Sequence, residues 1–129
     1  MSRRISFARK SILLKAVGAV LFMAPAAAHH SPVAFDTKIT DFSLTGEIEN
    51  VDVRNPHSVM DLRVANSDGS STVWHIEFSS VNLLLRRGWD FDRLVVGETV
   101  TCTGNPSASG KQEMYMWSIV LPDGTEFSR

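Results

Sequence analysis

The polar and apolar positions of this chain change period twice. Phe42-Ser43-Leu44-Thr45-Gly46-Glu47-Ile48 alternates strictly, the period-2 pattern of a strand with one face buried, and it continues through Val51 and Val53 until Asn55-Pro56 stops it. Gly46 inside that run marks a bend or bulge. A second strand is predicted over 58–64, with Met60, Leu62 and Val64 on one face, and a third over 72–78, with Trp74, Ile76 and Phe78 opposite His75 and Glu77. Asn66-Ser67-Asp68-Gly69-Ser70 is the hairpin loop between them, rich in residues that favour turns. Helical spacing then takes over. Ser79-Ser80 cap a short helix over 80–87 in which Val81, Leu84 and Leu85 share a face, and Gly88 ends it. Leu84 and Leu85 are expected to cover an open end of the fold, and Trp89 to plug it. A fourth strand covers 99–103 with Val100 and Cys102 inward, a polar loop covers 105–110, and a fifth strand runs over 114–121 before a Pro122-Asp123-Gly124 turn.

Five short strands with one helix between the third and fourth is the element order of a small OB-like antiparallel barrel. A long, glycine-bent first strand suits it, since one strand must serve both halves of the closing sheet. An open antiparallel sandwich is the second choice. An immunoglobulin-like fold, which wants about seven strands and no helix here, is the third. The expected core is Leu44, Met60, Leu62, Trp74, Ile76, Val100 and Cys102. In the last strand Met114, Met116 and Ser118 share one face and Tyr115, Trp117 and Ile119 the other; the pattern does not say which is outside.

Composition changes the picture mainly at the N-terminus. The chain of 129 residues has 13 Lys and Arg against 14 Asp and Glu, but five of the bases (Arg3, Arg4, Arg9, Lys10, Lys15) lie in the first 28 residues, which hold no acid. The remainder carries eight bases against 14 acids, a formal charge of −6. A basic segment, an apolar stretch over Ala16–Ala24, Pro25 and the small residues Ala26-Ala27-Ala28 occur in the order of an export signal. The apolar stretch is far shorter than the roughly 20 residues that span a bilayer, so no stable membrane anchor is expected. Ser2-Arg3-Arg4-Ile5-Ser6-Phe7 is close to a twin-arginine signal with its phenylalanine one place late, and leaves the export route open. The reading is therefore a signal peptide over 1–28, an N-terminal arm over 29–39 and the barrel over 40–129, placed in the periplasm of a bacterium. An acidic domain is a poor partner for nucleic acid, whose binding depends on neutralising phosphates.

The string His29-His30-Ser31, Phe35-Asp36, Gly46, Asn55-Pro56-His57, Trp74-His75-Ile76-Glu77, Leu85 to Gly88-Trp89, Leu94 to Gly97, Val100-Thr101 and Leu121-Pro122-Asp123-Gly124 resembles a family of small exported bacterial proteins catalogued as domain of unknown function 6152. The resemblance implies fold and compartment, and no reaction or ligand. Members usually carry a Trp just ahead of Asn-Pro-His, where this chain has Val51, Val53 and Arg54.

Candidate chemistry rests on four histidines, His29, His30, His57 and His75. Cleavage after Ala28 makes His29 the first residue, and its α-amine and Nδ1 chelate one metal, with a second histidine completing a nitrogen set that suits Cu(II). Cleavage one residue earlier puts a histidine third from the amine, another planar Cu(II) chelate. His57 follows Pro56, and Asn55 is expected to hold that turn by a side-chain hydrogen bond. His75 and Glu77 share a strand face, a histidine with a carboxylate that orients it. Asn55 and Glu77 are thus orienting partners, and copper the one cofactor suggested. Tyr115 and Trp117 offer a face for a small ligand or a periplasmic protein partner; exposed methionines on the opposite face would suit Cu(I) instead. There is no Gly-x-Ser-x-Gly, no His-Glu-x-x-His and no phosphate-cradling glycine loop, so a binding module is expected and not an enzyme. The single Cys102 excludes an intramolecular disulfide.

Mass spectrometry of the exported protein is expected to find a chain beginning at His29, or at Ala27 or Ala28 where the peptidase slips. Recovery of intact Met1 in the membrane fraction would overturn the export reading.

Overall fold

A computed structural model describes residues 34–129. The signal segment, His29 and His30 lie outside the described residues. The elements are β1 (Phe42–Asp52), β2 (Ser58–Ala65), β3 (Ser71–Phe78), α1 (Val81–Arg86), a short 3-10 turn (Phe91–Arg93), β4 (Thr99–Pro106), β5 (Glu113–Val120) and β6 (Glu126–Ser128). The sheet order is β3-β2-β1-β4-β5-β6, and β3 also pairs with β5, which closes a five-stranded OB-like barrel with β6 as an appendage. All neighbours are antiparallel except β3 and β5, which run parallel. The expectation of a wholly antiparallel ring fails on parity: five strands cannot alternate direction all the way round, so one seam must be parallel.

β1 does serve both halves of the sheet. Its residues 42–47 pair with β4 and residues 47–52 with β2. Gly46 sits at this hand-over, where a Cβ would collide with the Arg63 carbonyl; Gly104, on β4, is crowded in the same way by the Tyr115 carbonyl. Their role is close approach of two strands, so that the ribbon can coil tightly enough to close.

Two bulges reset the inside–outside alternation. In β1 the register jumps between Ile48 and Asn50, so Ile48 is buried and the next inward residue is Val51. Opposite Thr103 and Gly104, β5 carries one extra residue, Trp117, so Met114 and Met116 point inward but Ile119 does too. Ile119 therefore does not share the face of Tyr115 and Trp117, and the methionines are core residues, which removes the exposed Cu(I) face.

The core contains Met60, Leu62, Ile76, Val100 and Cys102 as expected, together with Ile48, Phe78, Met114, Met116 and Ile119. Leu44 and Trp74 pack against it only half-buried, Trp74 with its ring 5.5 Å from that of Phe42. Helix α1 is six residues long, Ser80 makes no side-chain cap, and only Leu84 turns inward; Leu85 stays 54% exposed. Successive helical residues are separated by 100°, so a helix this short offers one inward position where the sequence suggested two. The helix ends as a Schellman motif: Gly88 N–H donates to Leu85, Trp89 N–H donates to Leu84, and Gly88 takes the positive φ of 83° that the motif requires. That motif delivers Trp89 under the barrel. Its ring stacks on Phe78 at 6.0 Å and Phe127 at 5.4 Å, and its indole N–H donates to the Ser128 carbonyl at 3.0 Å.

Trp89→Ala should destabilise the domain by about 3–5 kcal/mol, as truncation of a buried large aromatic does, measured by denaturant unfolding. Gly104→Ala should cost about 1–3 kcal/mol by overpacking, with the same assay; an unchanged midpoint would contradict the close approach. Burial pushes the Cys102 thiol up to about 12 from 9.0. A folded value raised above the unfolded one means that the stability is complete below pH 9 and declines as pH rises towards 12. Thiol alkylation at pH 8 should accordingly require unfolding.

Candidate functional site

The corner between β1 and β2 is closed by Ser58. This fully buried hydroxyl accepts from the Arg54 N–H and donates to the Arg54 carbonyl, both at 3.1 Å. Asn55 was expected to hold this turn; Ser58 does so, and Asn55 lines the groove beside it. In the sequence Ser58 reads only as the polar first residue of the second strand, and nothing local marks its side chain as the one that closes the corner. Fixing Arg54 to Ser58 leaves His57 projecting over the outer face of the sheet.

That face is ordered by strand register. Asp61 on β2 lies opposite His75 on β3, and Val59 lies opposite Glu77. On the other side of β3, His75 aligns with Glu113 and Glu77 with Tyr115. The expected His75–Glu77 pair does not form. Residues two apart on a strand are separated by about 7 Å, whereas directly opposed cross-strand residues approach to about 5 Å. His75 Nδ1 pairs with Asp61 Oδ1 at 3.0 Å, and Asp61 also accepts from Asn50 at 3.4 Å. Glu77 instead turns to His57, with Nδ1 and Oε1 2.7 Å apart. The His57–Glu77 pair is the more enclosed, its side chains 30% and 17% exposed against 52% and 33% for His75 and Asp61.

Both pairs border a half-open groove of about 320 Å³, lined by Arg54, Asn55, Pro56, His57, Val59, His75 and Glu77. His75 presents Nδ1 to Asp61 in a hydrogen bond, which in the neutral ring leaves the lone pair on Nε2, whereas His57 and Glu77 lie together as a close ion-pair contact. Among the described residues no three His, Cys, Asp or Glu converge to hold a metal ion.

The arm is seated next to this groove. Phe35 bridges Ser107, Asp36 N–H donates to the Pro106 carbonyl at 2.8 Å, and Ala108 N–H donates to the Ala34 carbonyl at 3.0 Å. The Phe35 ring lies 5.7 Å from Tyr115, and the Tyr115 ring meets His57 edge-on at 6.2 Å. Tyr115 supplies the aromatic ring beside His57. Tyr115 and Trp117 are outside, as one of the two sequence alternatives had it, but the chain itself covers them: the Arg129 guanidinium sits 5.3 Å and 4.7 Å from the two rings. The Tyr115 hydroxyl is bonded to Ser79 at 2.9 Å.

Residues 18–115, including the Phe35, Asn55-Pro56-His57, Trp74–Glu77 and Gly88-Trp89 elements just placed, match one protein family. The chain belongs to the family of unknown function DUF6152. No curated protein and no solved structure matches it. The match to DUF6152 agrees with the resemblance seen in the sequence, and in this chain Asn55-Pro56-His57 is the corner that places His57 beside Glu77. No helix among the described residues is long and apolar enough to cross a membrane.

Proposed function

We propose that this chain is an exported, non-enzymatic binding module that holds Cu(II) between the amino terminus of its processed form and the groove histidines. His29, with its α-amine, and His30 supply nitrogens from the arm; His57 and His75 supply imidazoles from the barrel; Glu77 and Asp61 orient those rings. The observation that carries the reading is the unbroken contact from Phe35 through Tyr115 to His57. The two ring separations put Phe35 at most about 12 Å from His57. From Ala34 back to His29 is five residues, a reach of about 17 Å when extended. The arm is therefore tethered within range of the groove, and reach favours His57 over His75, which lies one row further from Tyr115. The OB fold binds its ligands on this same β2–β3 face and its flanking loops. Amine and imidazole nitrogens in a planar set are the ligation that Cu(II) prefers.

A second reading keeps the groove and drops the metal. Its volume of about 320 Å³ suits a small polar ligand or one side chain of a periplasmic partner.

Copper titration of the exported, processed chain separates the two. The His57→Ala,His75→Ala double variant should bind Cu(II) no more tightly than a peptide of the arm alone. Glu77→Gln, which touches no metal, should weaken binding about 10-fold by loosening the His57 ring. Parent-like affinity in the double variant would leave the arm as sole chelator and the metal-free module as the better reading.

A further inference from the structure

A buried amide ties the arm to the barrel. Asn105, 4% exposed near the end of β4, donates through Nδ2 to the carbonyls of Asp36 at 3.0 Å and Ile39 at 2.6 Å. Those carbonyls bracket a turn closed by Ile39 N–H on Asp36. A buried amide must satisfy its donors, and here it does so on the backbone of a segment outside the barrel strands. In the β4–β5 register the residue directly opposite Asn105 is Tyr115, the ring that touches both Phe35 and His57. One cross-strand pair therefore grips the arm with both members and the β1–β2 corner with one.

We propose that Asn105 and Tyr115 are the positioning pair of the groove: together they fix the arm against His57, so that whatever His57 binds is bound by arm and barrel jointly. For the identity of the bound group this rests on the copper reading; the coupling itself belongs to the unliganded chain. It makes residues 34–39 a part of the site and not a leader to it. An Asn whose work is only to satisfy a loop would affect stability and leave His57 untouched.

The test uses the exported, processed chain with Asn105→Ala and Asn105→Asp, the second keeping size but losing the donor pair. Without metal, hydrogen exchange at the Asp36 and Ala108 amides should quicken about tenfold or more, and the His57 ring resonances should shift, while the β1–β2 amides keep their protection. With Cu(II), affinity should fall about tenfold and the electron paramagnetic resonance spectrum should move to that of the arm peptide, the loss expected when two linked ligand sets become independent. Should the Asn105 variants not fold, Phe35→Ser, which lies outside the barrel strands, should move the same signals in the same direction. Faster arm exchange with unchanged His57 resonances would overturn the proposal, because the arm would be clamped without being coupled; so would no change in either. If the parent chain binds no copper but the metal-free signals move together, the copper reading fails and the positioning pair stands.

Discussion

A closed ring with an odd number of strands must contain one parallel seam, and the two histidine–carboxylate pairs gather beside it. β3 carries His75 and Glu77 on its outer face, and the seam places β5, with Glu113 and Tyr115, directly beside them. Without the β3–β5 pairing Tyr115 would lie at a sheet edge, away from the β1–β2 corner. The seam brings three distant segments together: the corner with His57, the strand with Glu77, and the β4–β5 loop on which the arm rests. Parallel pairing needs a crossover rather than a hairpin. Helix α1 and the loop to β4 begin that crossover, and the Trp89 plug secures it to the core.

Closure at this small size depends on two places where side chains are absent and two where the alternation slips. Gly46 and Gly104 let neighbouring strands approach more closely than any Cβ would allow. The bulges at Ile48/Asn50 and Thr103/Gly104 add local twist. They also choose which side chains face outward: the extra residue in β5 lets Ile119 fill the core while Tyr115 and Trp117 remain outside. Shape and site therefore come from the same irregularities.

This division accounts for what the sequence disclosed. Regular alternation located β1, β2 and β3, the change of period located α1, and the Gly88-Trp89 signal placed the plug, because each depends on local chemistry. Val51, Ile119 and Leu85 were not legible, since a bulge or a truncated helix changes facing without changing local pattern. His57 was visible as a candidate, but its partner was not: choosing between Glu77 and Asp61 for each histidine requires the β2–β3 register, a long-range fact. Asn105 reads as a loop residue and Ser58 as an ordinary polar strand start, and only their burial reveals them as clamps. His29 and His30 lie outside the described residues, and the arm's contacts with the barrel are those of Ala34 to Ile39.

The two histidine–carboxylate pairs are not equivalent, and their difference orders the site. His75 and Asp61 stand half in solvent, where such a pair gains about 1 kcal/mol at most and is readily screened. His57 and Glu77 are more enclosed, with Glu77 only 17% exposed and its partner's ring braced edge-on by Tyr115. An imidazole with a carboxylate on one side and an aromatic ring on another has fewer rotamers open to it than one standing half in solvent, so less ordering entropy opposes binding. His57 is thereby the preorganised member and His75 the adaptable one. In the proposed site, a ligand that needs a single fixed nitrogen would take it from His57, and one that needs two would recruit His75 across the groove at the cost of ordering a surface side chain.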